Sequence, residues 1–131
     1  MQIREIVLED YEKLVPFWRE NYFVNEHDSL PRFILFLQKN PSLSIIAEEG
    51  GVIAGTALGS YDGRRGYLQK VVVGKDFQRK GLGKELVQKM LAKLKAAGVS
   101  YIPMNVEKDS VAFYEKCGFK VTSQVPMNID L

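Results

Sequence analysis

Ten residues constrain this chain more than any others: FQRKGLGKEL, residues 77–86. The β-rich run YLQKVVV precedes them, and an apolar stripe at helical spacing follows them (Leu82, Leu86, Val87, Met90, Leu91, Leu94). A plain turn needs one glycine and no cluster of charge. Here Gly81 and Gly83 are separated by one residue and stand behind Arg79 and Lys80. The first turn of a helix has four N–H groups without partners, and its dipole puts partial positive charge there. Glycines add no side chain, so an anion can reach the backbone. The two cations add charge-assisted bonds. The junction therefore reads as a seat for a diphosphate that needs no metal. Spacing disfavours two other phosphate loops. Gly83-Lys84 has Gln78 five residues earlier and Glu85 after the lysine, which breaks the P-loop pattern. A dinucleotide fingerprint would need glycine at position 86, where Leu86 stands.

The remaining pattern is that of one α/β domain spanning residues 1–131. QIREIV reads as a strand and EDYEKLVPFW as a short helix that Pro16 kinks or ends. SLPRFILFLQKN reads as a helix with Ser29 as N-cap and Pro31 in the first turn. LSIIAEE, Gly50-Gly51 and VIAGTALGSY form a hairpin signal; DGRRG is a second turn before YLQKVVV. After the long helix, which Gly98 ends, VSYIPMNV reads as a further strand in a right-handed parallel crossover. DSVAFYEKC reads as a helix capped by Asp109 and closed by Gly118, and FKVTSQVPMNIDL as a final strand or pair. The expected fold is a mixed, mostly antiparallel sheet with a β-loop-α-β unit and helices on both faces.

Charge is uneven. Residues 1–60 hold 5 Lys/Arg against 9 Asp/Glu, a net of −4, and residues 61–131 hold 13 against 7, a net of +6. The excess around Lys70, Lys75, Arg79, Lys80, Lys84 and Lys89 favours a small polyanion. No aromatic residues interleave with these lysines, as a nucleic-acid stacking platform requires. No apolar run approaches the length of a membrane span, and the acidic start of the chain is unlike a signal peptide. A single cysteine, Cys117, excludes an internal disulfide and a cysteine metal cluster. The expectation is a cytoplasmic protein with no metal, no nucleic-acid partner and no membrane partner; a homodimer is one option for its assembly.

Gln78-Arg79-Lys80-Gly81-Leu82-Gly83 resembles the pyrophosphate loop of the GNAT superfamily, the acyl-coenzyme A-dependent N-acyltransferases. FYEKCGF, residues 113–119, is similar to that family's late helix and following strand, and the resemblance covers roughly residues 1–125. It implies acetyl-CoA as cofactor. The family's fourth and fifth strands splay, and the pantetheine lies in the gap. By that match Val71, Val72 and Val73 would offer main-chain hydrogen bonds. The amide of Val73 or a neighbour would polarise the thioester carbonyl. Gln78, Arg79, Lys80, Gly81, Leu82, Gly83 and Lys84 would hold the diphosphate. Tyr114 resembles the tyrosine that can protonate the leaving thiolate, Phe113 its core neighbour, and Cys117 buried packing.

The chain also departs from the family. Many members carry a carboxylate on the fourth strand as base for the amine; here that strand offers Tyr67, Gln69 and Lys70. Base candidates elsewhere are Glu26, His27, Asp28, Glu48 and Asp62. Asparagines that contact the coenzyme in relatives fall on Glu107 or Ser110. Gln69 and Lys70 argue against an aminosugar acceptor. GSYDGRRG is similar to a subgroup related to enzymes that acetylate ribosomal protein N-termini, and Asp62-Gly63 within it reads as a hairpin turn. The loop WRENYFVNEHDSLPR corresponds to the acceptor region, where aromatic walls and carboxylates suit a cationic amine. Trp18, His27 and Asn105 are the acceptor-side candidates. The expected reaction is acetyl transfer to a primary amine of a small molecule by direct attack in a ternary complex. A protein N-terminus or lysine as acceptor, and a non-catalytic acyl-CoA-binding module, are the alternatives.

Overall fold

A computed structural model describes all of residues 1–131. Four strands form one antiparallel sheet in the order β1 (Gln2–Glu5), β2 (Ser44–Glu49), β3 (Val52–Tyr61), β4 (Gly66–Val73). Between β1 and β2 come α1 (Tyr11–Asn21) and α2 (Leu30–Lys39); after β4 come α3 (Leu82–Ala97) and α4 (Val111–Lys116). The sheet is covered on both faces, and the period-2 alternation of β2 shows how. Ile45 points to a core built with Leu86, Val87, Met90 and Leu94 of α3. Its neighbour Ile46 points to a second core with Leu14, Phe17 and Trp18 of α1 and Phe33 of α2. Gly50 and Gly51, at φ 58° and 78°, close the β2–β3 hairpin in the primed turn that matches strand twist.

The ladder between β3 and β4 is interrupted where the site will lie. Thr56 pairs with Val72 and Leu58 with Gln69, so Ala57 faces two residues, Lys70 and Val71. This β-bulge places Lys70 at φ +50°, and Thr56 Oγ1 donates to the Lys70 carbonyl at 2.8 Å.

Several local expectations are corrected. Pro16 does not end α1, which runs on to Asn21 because Leu14, Phe17 and Trp18 bury that face. Ser29 does take the expected N-cap position of α2, with Pro31 in the first turn, though its side chain makes no cap bond. Asp109 lies inside a 3-10 turn, Lys108–Ser110, and Ser110 takes the N-cap position of α4. Residues 99–106 and 119–131 form neither helix nor ladder strand. The first segment meets β4 once, where Gly66 N–H donates to the Tyr101 carbonyl at 3.0 Å. The two therefore begin side by side, and no backbone bond joins them beyond that point.

Candidate active site

The diphosphate seat is built from backbone. Gly81 caps α3 at φ +81°, and Arg79 before it is also left-handed at φ +63°. That pair of turns brings the chain from β4 into the helix with its amides outward. The N–H groups of residues 79–84 make no hydrogen bond within the chain. A Cβ placed on Gly81 would meet nothing within 4 Å, so the space beside these amides is open. Arg79, Lys80 and Lys84 are exposed and none is paired with an acid. Six bare amides, the positive end of a 16-residue helix and free cations fit a diphosphate. Leu82 belongs to the core through its side chain, so only its amide is offered. Gln78 is exposed, and its Nε2 donates to the Val73 carbonyl at 3.1 Å, which ties the loop to the end of β4.

Gly83 has a different reason. A Cβ there would lie 3.2 Å from Phe113 Cζ and 3.5 Å from Val73 Cγ2, so this glycine admits the α4 aromatic against the loop. Phe113 in turn meets Tyr114 edge-on at 4.9 Å between ring centroids. The chain thus positions its tyrosine and its phosphate loop through one shared ring.

The outer edge of β4 supplies the next surface. Gly74 N–H turns inward to the Ala54 carbonyl at 2.8 Å. The alternation of an antiparallel ladder then aims the amides of Val73 and Val71 outward and that of Val72 inward. Val72 is therefore not available to a ligand, since its side chain is also buried in the α1–α2 core. Residues 71 and 73 remain, bordering the opening between β4 and residues 99–106.

Tyr114 stands between the rings of Phe113 and Phe119. Burial pushes its phenol up to about 12, with the neighbouring Tyr22 and Cys117 adding to the shift. A phenol in that range stays protonated at neutral pH and can give a proton to a thiolate. Burial likewise raises the Cys117 thiol, and nothing in its surroundings makes it a nucleophile.

On the acceptor side the structure differs most from expectation. Trp18 is 1% exposed, and its indole N–H donates to Thr56 Oγ1 at 3.0 Å, so it is a core residue and not a wall of the site. The cation the aromatic loop suits is already present. Lys70 reaches from the bulge under the rings of Phe23 (4.1 Å), Trp18 (5.2 Å) and Tyr22 (5.4 Å). Its ammonium donates to the Phe23 carbonyl at 2.7 Å and lies 3.1 Å from Asp28 Oδ2. The side chains of Lys70 and Asp28 are only 7% and 13% exposed. Sequence spacing could not show this pair, because its partners are separated by all of α2 and two strands. His27 is exposed, with Arg32 Nη1 2.8 Å from its Nδ1. Asn105 is exposed on the unpaired segment.

Three of the five base candidates are engaged elsewhere. Asp28 holds Lys70, and Glu48 accepts from Arg4 Nε at 2.8 Å. Asp62 caps its own turn, and the amides of Arg65 and Arg64 hold its carboxyl below the usual range. Glu26 and His27 remain, both in solvent. Tyr22 lies in the expected acceptor loop, and its phenol is raised by burial and by the nearby Glu107. No three His, Cys, Asp or Glu side chains gather as a metal-binding group, and no helix is long and apolar enough to cross a membrane.

Comparison with known proteins identifies the family and the fold. The family model described as Acetyltransferase (GNAT) family matches residues 2–119. An acetyltransferase of Pectobacterium atrosepticum is 28% identical over 131 residues, covering 97% of this chain and 93% of its own length. One of Yersinia enterocolitica is 27% identical over 129 residues, with 95% and 92% covered. The fold also matches a predicted acetyltransferase of Clostridium acetobutylicum solved with acetyl-CoA, at TM-score 0.79 and 20% identity over 97% of this chain and 95% of that one. It matches the glucosamine-6-phosphate N-acetyltransferase of Arabidopsis thaliana at TM-score 0.74 and 24% identity, covering 98% of both.

Proposed function

Because the chain belongs to the GNAT family of acetyltransferases, we propose that it transfers an acetyl group from acetyl-CoA to the primary amine of a small molecule by direct attack in a ternary complex. The observation that carries this reading is the run of unpaired amides at residues 79–84 beside the open space at Gly81. Bound acetyl-CoA supplies the acyl group activated as a thioester. The chain's own part is to bind, orient and move a proton. Residues 79–84 grip the diphosphate with Arg79, Lys80 and Lys84 around them. The outward amides of Val71 and Val73 align the pantetheine arm along β4. A fixed amide of this edge stabilises the negative charge that develops on the carbonyl oxygen. The Tyr114 Oη would give its proton to the departing sulfur, and the proton that the amine loses on forming the amide would return to that phenolate through solvent. A thiol is a tolerable leaving group, with an ordinary pKa near about 8.5, so this proton assists the reaction without deciding it.

The acceptor enters beside Tyr22 and Phe23, whose rings meet at a tilt of 50° with centroids 4.3 Å apart and are about half exposed. Lys70 already neutralises Asp28 beneath those rings, so the seat does not draw a second cation inward. An amine arriving as its neutral form, or carrying an anionic group elsewhere, suits this surface. A protein N-terminus is the second reading, favoured by the open apolar rim that these two rings present. The test is thiol release from acetyl-CoA with a pooled panel of small amines and short peptides, products being identified by mass. Turnover on small amines supports the first reading and turnover on peptides alone the second. Tight acetyl-CoA binding with no turnover on any amine would leave a binding module and refute both.

A further inference from the structure

A chain of hydrogen bonds runs through the sheet into the bulge of β4. The indole N–H of Trp18 donates to Thr56 Oγ1 at 3.0 Å, and that hydroxyl donates to the Lys70 carbonyl at 2.8 Å. An indole nitrogen can only donate, so the Thr56 oxygen accepts there and its one proton is left for the carbonyl. The direction of the chain is thereby set. Trp18 and Thr56 are 1% and 0% exposed, so water does not compete for either bond.

The Lys70 carbonyl and the Val71 N–H belong to one planar trans peptide unit and point in opposite directions. A carbonyl drawn toward Thr56 of β3 therefore sends the Val71 N–H away from β3. It points to the free edge of β4 and the opening where the pantetheine arm is placed. With the plane turned over, the carbonyl oxygen would face that opening and repel the thioester oxygen. The plane needs holding, because Lys70 stands at φ +50°, a left-handed angle that a lysine keeps only where its surroundings enforce it. The Lys70 side chain is held as well. Its ammonium donates to the Phe23 carbonyl at 2.7 Å and lies 3.1 Å from Asp28 Oδ2. The sheet thus grips this peptide by its oxygen, and the acceptor loop grips it by its side chain.

We propose that Thr56 is a positioning residue for the transfer: its hydroxyl, through the Lys70 carbonyl, aims the Val71 N–H at the thioester oxygen of bound acetyl-CoA. This assignment rests on the reaction proposed above and names the amide of the β4 edge that meets the oxygen. Thr56 itself touches neither coenzyme nor acceptor, being sealed beneath the strand. Lys70 extends the same control to the acceptor loop, since a shift of residues 23–28 pulls on the residue whose carbonyl Thr56 holds.

The test reads the amide on the coenzyme and needs no acceptor. Acetyl-CoA labelled with carbon-13 at the acetyl carbonyl is bound to the full chain, to Thr56→Val and to Thr56→Ser, and the carbonyl resonance is followed by NMR. A hydrogen bond to the oxygen moves this resonance downfield of its free position. The parent and Thr56→Ser are expected to show the move. Thr56→Val has the same shape without the hydroxyl and is expected to lose most of it. Its Kd should stay within about threefold of the parent, because the diphosphate seat is untouched. Losing one such donor lowers kcat by up to about 10²–10³-fold, so turnover on an acceptor should fall in Thr56→Val with little change in KM for acetyl-CoA. Far-UV spectra and urea unfolding establish that each variant is folded. The pair Lys70→Met, Asp28→Asn removes both charges together, releases the same peptide from the acceptor loop and should lose part of the move, which keeps the test open if Thr56→Val does not fold. A parent-like resonance in folded Thr56→Val or in the folded pair overturns the proposal, as does a Thr56→Ser that behaves like Thr56→Val. Coenzyme bound to the parent with its carbonyl at the free position also overturns it, while leaving the transfer reaction standing. A parent that binds no acetyl-CoA overturns the reaction itself.

Discussion

Replacing Gly81 by glutamate separates ligand grip from fold. At φ +81° a side chain of any kind costs about 1–2 kcal/mol, since Cβ crowds the following carbonyl in the left-handed region. The Cβ itself strikes nothing within 4 Å, so no packing penalty adds to this. A domain with about 5–15 kcal/mol of stability survives that, with a melting temperature lower by roughly 3–10 °C. The carboxylate, however, falls where the diphosphate would sit. Hydrogen bonds from amides to a charged group are worth about 1.5–3 kcal/mol each, so losing two costs about 3–6 kcal/mol. At about 1.4 kcal/mol per factor of ten, acetyl-CoA should bind roughly 10²–10⁴-fold more weakly. Gly81→Lys carries the same strain with the opposite charge and is the control, with a matching melting temperature and a much smaller loss of affinity. Titration calorimetry with acetyl-CoA measures both variants. A Kd for Gly81→Glu within threefold of the parent, at equal thermal loss in the two variants, would refute the placement of the diphosphate.

Tyr114→Phe should lower kcat by about 10–100-fold, at or below the lower end of general acid catalysis because the leaving thiol needs little help. In an alkaline titration followed by phenolate absorbance, the parent should show one tyrosine ionising near pH 12 that is absent from this variant. The sign for stability follows: both states are protonated below about pH 10, and above it the unfolded phenol ionises first, so stability falls as pH rises from about 10 to 12. Lys70→Met leaves Asp28 nearly buried without its cation and should cost about 3 kcal/mol in urea unfolding, whereas the pair Lys70→Met, Asp28→Asn should recover most of it. Gly83→Ala presses on Phe113 at 3.2 Å; overpacking of about 1–3 kcal/mol should outweigh the gain of about 1 kcal/mol in helix propensity, and kcat should fall because Phe113 carries Tyr114. A more stable Gly83→Ala with full activity would contradict that linkage.

What could be read in advance was what is local in sequence. The candidate phosphate loop stands out because two glycines, two cations and the stripe beginning at Leu82 are adjacent. The hairpin at Gly50-Gly51 and the end of α3 at Gly98 are local in the same way. The acceptor side was misread because its chemistry depends on pairs distant along the chain. Trp18 has the same letter whether it walls a site or fills a core, and only Thr56, 38 residues away, decides. Asp28 read as a candidate base and Lys70 as part of the cationic excess suited to a polyanion until the bulge at Lys70 joined them. Pro16 misled because its local cost is set against the burial of Leu14, Phe17 and Trp18, which a local rule does not count. Residues 99–106 and 119–131 have strand composition, yet they form no ladder, and the first meets the free edge of β4 only at Gly66.

Trp18 is the single tryptophan of the chain. Its indole is sealed from water, tethered to the Thr56 hydroxyl that also holds the bulge, and lies 5.2 Å from the Lys70 charge. The protein therefore carries an intrinsic optical probe at the floor of its acceptor side. Its emission should be blue-shifted in the free protein. Any acceptor that draws Lys70 away should alter the intensity at that wavelength, so that acceptors can be screened by fluorescence before a reaction is known.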